Sequence, residues 1–134
     1  MGLWMRDWCK EMYNRDWDFC ISLTYKFPII KSSLGRRNIT EYVNQLNKMD
    51  NQIDGFVVDE LDKNLISIHH HLVLKSDINE RELQKITNKV WKNRGINEVK
   101  RYDVNSEVSY CEYITKHIGK TKRNVWDIIT NFKT

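Results

Sequence analysis

Three consecutive histidines, His69, His70 and His71, are the residues of this 134-residue chain best suited to metal chemistry. They lie in an apolar, β-rich run that predicts a strand. Successive side chains on a strand point to opposite faces, so His69 and His71 should share one face while His70 points away. Two imidazoles one pleat apart can both reach one metal ion. The plainer alternative is an ordinary strand with partly exposed histidines.

A third metal ligand is expected from the strand that precedes the histidines. If Lys63-Asn64 is a two-residue hairpin turn, Glu60 lies on the same face as His69 and His71, and Asp59 faces the other way. A change of one residue in the turn would exchange the two acids. Two histidines and one carboxylate, with open coordination positions, favour a divalent catalytic metal over a closed structural zinc site.

A second group of reactive residues follows near the C-terminus, where Tyr110, Tyr113, Lys116, His117 and Lys120 recur at spacings of three and four. Such spacing places them on one side of a helix. A free phenol has a pKa of about 10, and a nearby cation favours its phenolate form, so a tyrosine with a lysine one turn later can act as a nucleophile. The alternative is that these aromatics are core or rim residues.

Positive charge is concentrated in the second half of the chain. Residues 1–67 carry a net charge of −1 and residues 68–134 a net charge of +5, which hints at a polyanionic partner. The basic side chains predicted to contact phosphates are Lys31, Arg36 and Arg37 in a loop at 26–38, and Lys120, Lys122 and Arg123 after the tyrosine helix. A solvated helix end is the alternative for the second group.

The elements that must position these residues follow from periodicity and turn signals. Strands are predicted at 17–25, 55–61, 65–75 and 96–103, and helices at 3–14, about 40–53 behind a cap at Thr40, 79–93 behind a cap at Asn79, and about 105–118. From the first strand onward the order is β-α-β-β-α-β-α. It predicts an α+β, ferredoxin-like fold, a central antiparallel sheet with helices on one face. The histidine strand should lie in the sheet's interior.

Length and composition predict one domain over 1–134, with residues 1–16 as an N-terminal helix and 121–134 as a C-terminal tail. With 40% hydrophobic and 30% charged residues the chain should be globular rather than disordered. No apolar run approaches the roughly 18 residues of a membrane span. The N-terminus lacks the pattern of a secretory signal, and three cysteines give no disulfide framework. A cytoplasmic protein without membrane contact is expected.

The two sites, in this order, resemble those of the HUH endonucleases, most closely the rolling-circle replication initiator (Rep) proteins of plasmids and small viruses. The family's metal motif, His-hydrophobic-His on a strand, is matched by residues 68–74, with His70 where a bulky apolar residue is usual. Its nucleophile motif, Tyr-x-x-Lys on a later helix, is matched by Tyr113 and Lys116. His117 replaces the second tyrosine of the two-tyrosine form, so the chain resembles the single-tyrosine type. The resemblance covers about residues 17–120, including a first strand at 19–24.

The resemblance implies a metal-dependent, site-specific nickase and strand-joining enzyme that initiates DNA replication. His69, His71 and Glu60 would hold Mg²⁺ or Mn²⁺, and Tyr113 would attack the scissile phosphate, with Lys116 stabilising the developing charge. The product would be a 5′-phosphotyrosine link and a free 3′-OH. The implied partner is single-stranded or hairpin origin DNA, with host replication proteins and a second copy of the chain as further expected partners, in the host cytoplasm if the protein is viral. No Gly-rich phosphate loop is present in the sequence, so no nucleotide cofactor is expected.

Four other functions fit parts of the same pattern. A small HUH transposase or a relaxase would use the same chemistry, although transposases more often pair the tyrosine with Gln, and relaxases usually carry a third metal-binding histidine, whereas His70 faces away. A non-catalytic ferredoxin-like module would bind single strands without cleaving them and without a metal. A metal-binding structural protein would bind zinc tightly and unfold on chelation.

Overall fold

The computed structural model describes residues 16–27, 32–61 and 68–102. The strands are β1 (Phe19–Leu23), β2 (Asp54–Leu61), β3 (Ile68–Lys75) and β4 (Asn97–Arg101), and the helices are α1 (Ser32–Met49) and α2 (Glu80–Trp91). Their order, β-α-β-β-α-β, is the predicted one. The helices predicted at 3–14 and about 105–118, the turn at Lys63-Asn64 and the tail at 121–134 lie outside the described residues.

The four strands form one antiparallel sheet in the order β2-β3-β1-β4. Strands β1 and β2 run parallel on either side of β3, and β3 and β4 run parallel on either side of β1. Each helix therefore lies in a crossover between parallel strands. The histidine strand β3 lies in the interior of the sheet, as predicted. This part of the chain is α+β and compatible with a ferredoxin-like fold.

The core lies between the two helices and one side of the sheet, here called the helix face. On this face Phe19, Ile21 and Leu23 of β1 alternate inward, and Leu72 and Leu74 of β3 lie beside them, all fully buried. Both helices contribute buried side chains to the same cluster: Ile39, Tyr42, Val43, Leu46, Leu83 and Trp91. The other side of the sheet, which carries His69 and His71, is called the histidine face.

Helix α2 begins as the sequence predicted. The Asn79 side chain accepts a hydrogen bond from the backbone N–H two residues on, at 2.8 Å, which caps the helix. Leu83, Thr87 and Trp91 are fully buried and form a stripe that reaches the last turn. The indole N–H of Trp91 donates to the backbone oxygen of Thr24 at 2.7 Å, tying α2 to the chain that follows β1.

Gly95 lets the chain after α2 lie directly against the end of β1. A Cβ at this position would lie 2.0 Å from the backbone oxygen of Thr24, so only glycine fits. On either side of this approach, Thr24 N–H donates to Ile96 O at 2.9 Å and Lys26 N–H donates to Arg94 O at 2.8 Å. The segment between them, which carries Tyr25, is thereby held in place.

Helix α1 starts eight residues earlier than the cap predicted at Thr40, and this corrects the prediction of a basic loop over 26–38. Arg36 and Arg37 lie on α1 and are exposed. The apolar periodicity in the sequence begins at Ile39, because the buried position one turn earlier is Gly35, which has no side chain to reveal it. Among the described residues, no helix is long and apolar enough to cross a membrane.

Candidate functional site

Two histidines and one acid share the histidine face. In the antiparallel pairing of β2 with β3, Glu60 lies opposite His69 and Val58 lies opposite His71. Directly opposed residues project to the same side of a sheet, so Glu60, His69 and His71 lie on one side. All three side chains are partly exposed. Asp59, the other acid considered as a ligand, faces the helices and is buried.

The register that produces this arrangement differs from the one that a Lys63-Asn64 turn would give. Such a turn would place Glu60 opposite Ser67, whereas the observed partner of Glu60 is His69. The difference is two residues, and a shift of two leaves every side chain on its original face. The predicted face of Glu60 is therefore correct, although the predicted pairing is wrong. Its role as a metal ligand remains a prediction.

The environment of His71 favours a neutral imidazole. Its pKa is lowered from 6.5 to about 4, chiefly by burial and also by the nearby His69 and His70 rings, with Asp59 opposing the shift. The His71 Nδ1 lies 3.4 Å from the hydroxyl oxygen of Ser22, its cross-strand neighbour on β1. A metal ion binds the neutral form of histidine, so His71 needs no deprotonation near neutral pH.

The three residues have donor atoms that suit a divalent metal, and they lie on the same face of the sheet. Their side chains are not gathered around one point. Across residues 16–27, 32–61 and 68–102, no three His, Cys, Asp or Glu side chains lie close enough together to hold an ion. Two imidazoles and a carboxylate are nonetheless the ligand types of open catalytic sites. His69, His71 and Glu60 are the residues that would hold such an ion.

The helix face of the same strands carries a buried hydrogen-bonded chain that the sequence did not predict. The carboxylate Oδ1 of Asp59 accepts from Nδ1 of His70 at 2.5 Å, and the other ring nitrogen, Nε2, lies 2.5 Å from the Tyr25 hydroxyl. His70 is 0% exposed and Asp59 is 5% exposed. The sequence could have indicated that His70 is buried, because His70, Leu72 and Leu74 are alternate residues of one strand and therefore share the core face.

Three further residues continue this chain toward the surface. The Asn38 amide donates to the Tyr25 oxygen at 3.4 Å, Arg94 Nε donates to Asn38 Oδ1 at 3.3 Å, and Arg94 Nη2 pairs with Glu41 Oε2 at 2.5 Å. Burial raises the pKa of Tyr25 to about 12. The phenol therefore keeps its proton and can donate it to His70 Nε2.

Aromatic and close backbone contacts enclose the His70 ring. Trp91 and Tyr25 contact it edge to face, with ring centroids 5.8 and 5.3 Å away. A Cβ at Gly35 would lie 3.4 Å from His70 Cε1, so helix α1 passes directly over the imidazole. His70 is thus a core residue that links β3 to both helices.

The predicted DNA-contacting residues are only partly within the described chain. Arg36 and Arg37 lie in the helix layer, on the side of the sheet away from His69 and His71. One cation that the sequence did not single out, Lys100, lies on the histidine face opposite Cys20 and pairs with Glu98 at 2.9 Å. The remaining predicted site residues lie outside the described residues: Lys31, Tyr113, Lys116, Lys120, Lys122 and Arg123.

Comparison of this chain with protein-family models, with curated proteins and with solved structures finds no match.

Proposed function

We propose that this protein is a metal-dependent, site-specific single-stranded DNA nickase and strand-joining enzyme of the replication-initiator type, with Tyr113 as its nucleophile. The observation that carries the proposal is the placement of His69, His71 and Glu60 on one face of two neighbouring strands. The neutral state favoured at His71 supports it further. The nucleophile assignment depends on the sequence motif Tyr113 to Lys116.

In the proposed reaction the Tyr113 oxygen attacks the scissile phosphorus, and the bond to the 3′ oxygen of the upstream nucleotide breaks. The phenol loses its proton, and the departing 3′ oxygen gains one and leaves as a hydroxyl. The downstream strand stays attached through a 5′-phosphotyrosine. Lys116, three residues after the tyrosine in sequence, stabilises the phenolate. A bound Mg²⁺ or Mn²⁺ supplies charge neutralisation at the phosphate. Return of a 3′-OH reverses the steps and joins strands.

The orientation of His70 favours an initiator over a relaxase, the nearest alternative with the same chemistry. A relaxase-type site needs a third histidine directed at the metal. His70 points to the opposite face and is bonded to Asp59 and Tyr25. It therefore has no access to an ion held by its two neighbours.

The decisive test is capture of the covalent intermediate. A randomised library of single-stranded and hairpin oligonucleotides, labelled at the 3′ end, is incubated with the full chain and Mn²⁺ and resolved under denaturing conditions. We expect a labelled protein band, because the downstream fragment remains on the tyrosine. Chelation with EDTA should remove the band. Adduct that persists in EDTA would contradict the metal requirement, and retention of DNA without adduct would indicate a binding module.

Two tyrosine variants locate the nucleophile. Tyr113→Phe removes only a hydroxyl, so folding should survive while the adduct vanishes. Single-strand binding should remain, since it depends on cationic and aromatic contacts. Tyr110→Phe is the matched control and should keep substantial activity, because Lys116 lies at the motif spacing from Tyr113. The reverse pattern would assign the nucleophile to Tyr110.

A further inference from the structure

The buried Asp59–His70 pair lies directly behind the candidate metal ligands. Asp59 pairs with His70 on the helix face, and the next pair along the same two strands is Glu60 with His69 on the histidine face. Whatever fixes the first pair fixes the second, because neighbouring positions on one strand share a backbone. The pairing on the helix face therefore controls which residues lie opposite each other on the histidine face.

The alternative register of β2 and β3 would leave the buried acid and imidazole unpaired. A two-residue turn at Lys63-Asn64 would shift the pairing by two, placing Asp59 opposite Ile68 and His70 opposite Val57. The acid and the imidazole would then each face an apolar partner in a buried environment, where an unpaired polar group is costly. In the observed register both are satisfied, with 2.5 Å between His70 Nδ1 and Asp59 Oδ1.

A shift of the β2–β3 register by one or by two residues would separate Glu60 from His69 on the histidine face. A shift of one residue would send the whole set of side chains of one strand to the other face. A shift of two would keep the faces but move Glu60 away from His69 by two residues, roughly 7 Å along the strand. Apolar contacts oppose a shift of one, which would move buried side chains to the other face. They discriminate poorly between the observed register and a shift of two, since the neighbouring pair Val57 and Leu72 is purely aliphatic.

We propose that the buried chain Asp59–His70–Tyr25 is a register lock, and that these three are positioning residues which hold Glu60 in register with His69 and His71. The proposal rests on the proposed function for its metal-binding consequence. The lock reaches beyond the hairpin, because Tyr25 belongs to the chain after β1 and is held by Asn38 of α1. The histidine strand is thus fixed against three other elements through one imidazole.

The test compares variants at equal foldedness. An apolar triple variant, Asp59→Val/His70→Leu/Tyr25→Phe, replaces the chain with hydrophobic side chains of similar shape, a change that often leaves stability intact. The control, Val57→Ile/Leu72→Ile, repacks the adjacent pair and leaves the chain alone. Two quantities are measured: the backbone NMR contacts between residues 60 and 69, and the affinity for Mn²⁺ alone by electron paramagnetic resonance.

We expect the triple variant to fold, to show doubled or shifted cross-strand contacts, and to bind Mn²⁺ at least tenfold more weakly, while the control matches the unmodified protein. A triple variant that keeps both the single register and the Mn²⁺ affinity overturns the proposal. If the unmodified protein binds no Mn²⁺, the proposed function fails, and the register contacts alone still decide whether the lock exists.

A second variant covers failure of the triple variant to fold. The exchanged pair, Asp59→His/His70→Asp, keeps one acid opposite one imidazole, whereas each single substitution places two like groups together. The exchanged pair should recover the 60-to-69 contacts and the Mn²⁺ affinity relative to either single variant. Exchanged and single variants that behave alike would contradict the register lock.

Discussion

The two faces of strands β2 and β3 each carry an acid opposite a histidine, but the two pairs have different roles. On the helix face, Asp59 and His70 are buried, bonded to each other and enclosed by aromatic rings. On the histidine face, Glu60 and His69 are partly exposed. An acid opposite a histidine thus forms a structural pair where water is excluded and a candidate ligand pair where water and substrate have access. Burial, rather than residue type, separates the two roles.

The largest expected difference between the faces is in stability. His70→Ala leaves the Asp59 carboxylate buried without its partner, and breaking a buried pair in this way costs about 3–5 kcal/mol. His69→Ala removes a partly exposed side chain and should change the free energy of unfolding by only about 0.5 kcal/mol. Chemical denaturation of the two variants measures both values.

For nicking activity, substitutions on the histidine face should have larger effects than substitution of His70 on the helix face. His69→Ala and His71→Ala are expected to abolish cleavage in a protein that stays folded. The nicking activity of His70→Ala must be measured well below its lowered melting temperature. Under these conditions the variant is folded, and we expect it to retain some cleavage activity. Equal stability of His69→Ala and His70→Ala would erase the distinction between the faces.

A smaller effect is expected at the far end of the buried chain. Tyr25→Phe leaves His70 Nε2 without its hydroxyl partner, and an unsatisfied buried group costs about 1–3 kcal/mol. Tyr42→Phe is the matched control on α1. The Tyr42 hydroxyl contacts the Thr87 oxygen at 2.6 Å, but the Thr87 hydroxyl keeps its bond to the Leu83 carbonyl, so its loss should cost less. Thermal unfolding of both variants gives the comparison, and a larger loss for Tyr42→Phe would contradict it.

Much of this arrangement was predictable from the sequence because strands alternate strictly. The alternation placed His69 and His71 on one face, and the assumed Lys63-Asn64 turn placed Glu60 with them. The interior position of β3 followed from the β-α-β-β-α-β order. The Asn79 cap of α2 was readable because a polar cap precedes a periodic apolar stripe.

The missed features depend on long-range packing. The start of α1 was hidden because Gly35, which lies over His70, contributes no apolar side chain to the pattern. The partner of His70 was hidden because Tyr25 is 45 residues away in sequence, and no local spacing connects them. The exact register was missed because turn propensity favoured one pairing and the buried Asp59–His70 contact is satisfied only in another.

A further prediction separates the two acids by metal binding. Glu60→Ala removes a front carboxylate, and the affinity of the folded protein for Mn²⁺ should fall about tenfold or more, at least the loss seen when a supporting group of a metal site is removed. Its stability should change little because the side chain is partly exposed. Asp59→Ala should lower the melting temperature, and it should weaken Mn²⁺ binding less than Glu60→Ala because Asp59 acts on the metal ligands only through the strand register. Titration of Mn²⁺ at a temperature where both variants are folded checks this, and a greater loss of affinity in Asp59→Ala through direct coordination would reverse the assignment.

The smallest expected effect is a pH dependence that arises on the histidine face. Burial lowers the pKa of His71 from 6.5 to about 4 in the folded protein. Between these values the unfolded chain binds a proton that the folded chain does not, so stability rises with pH in this window. The contribution of His71 is present above pH 6.5 and is lost as the pH falls toward 4. With EDTA present, the free energy of unfolding of the unmodified protein should decrease over this window, and His71→Asn should flatten the decrease. An NMR titration that gives His71 an ordinary pKa would contradict this lowered pKa and the pH dependence that follows from it.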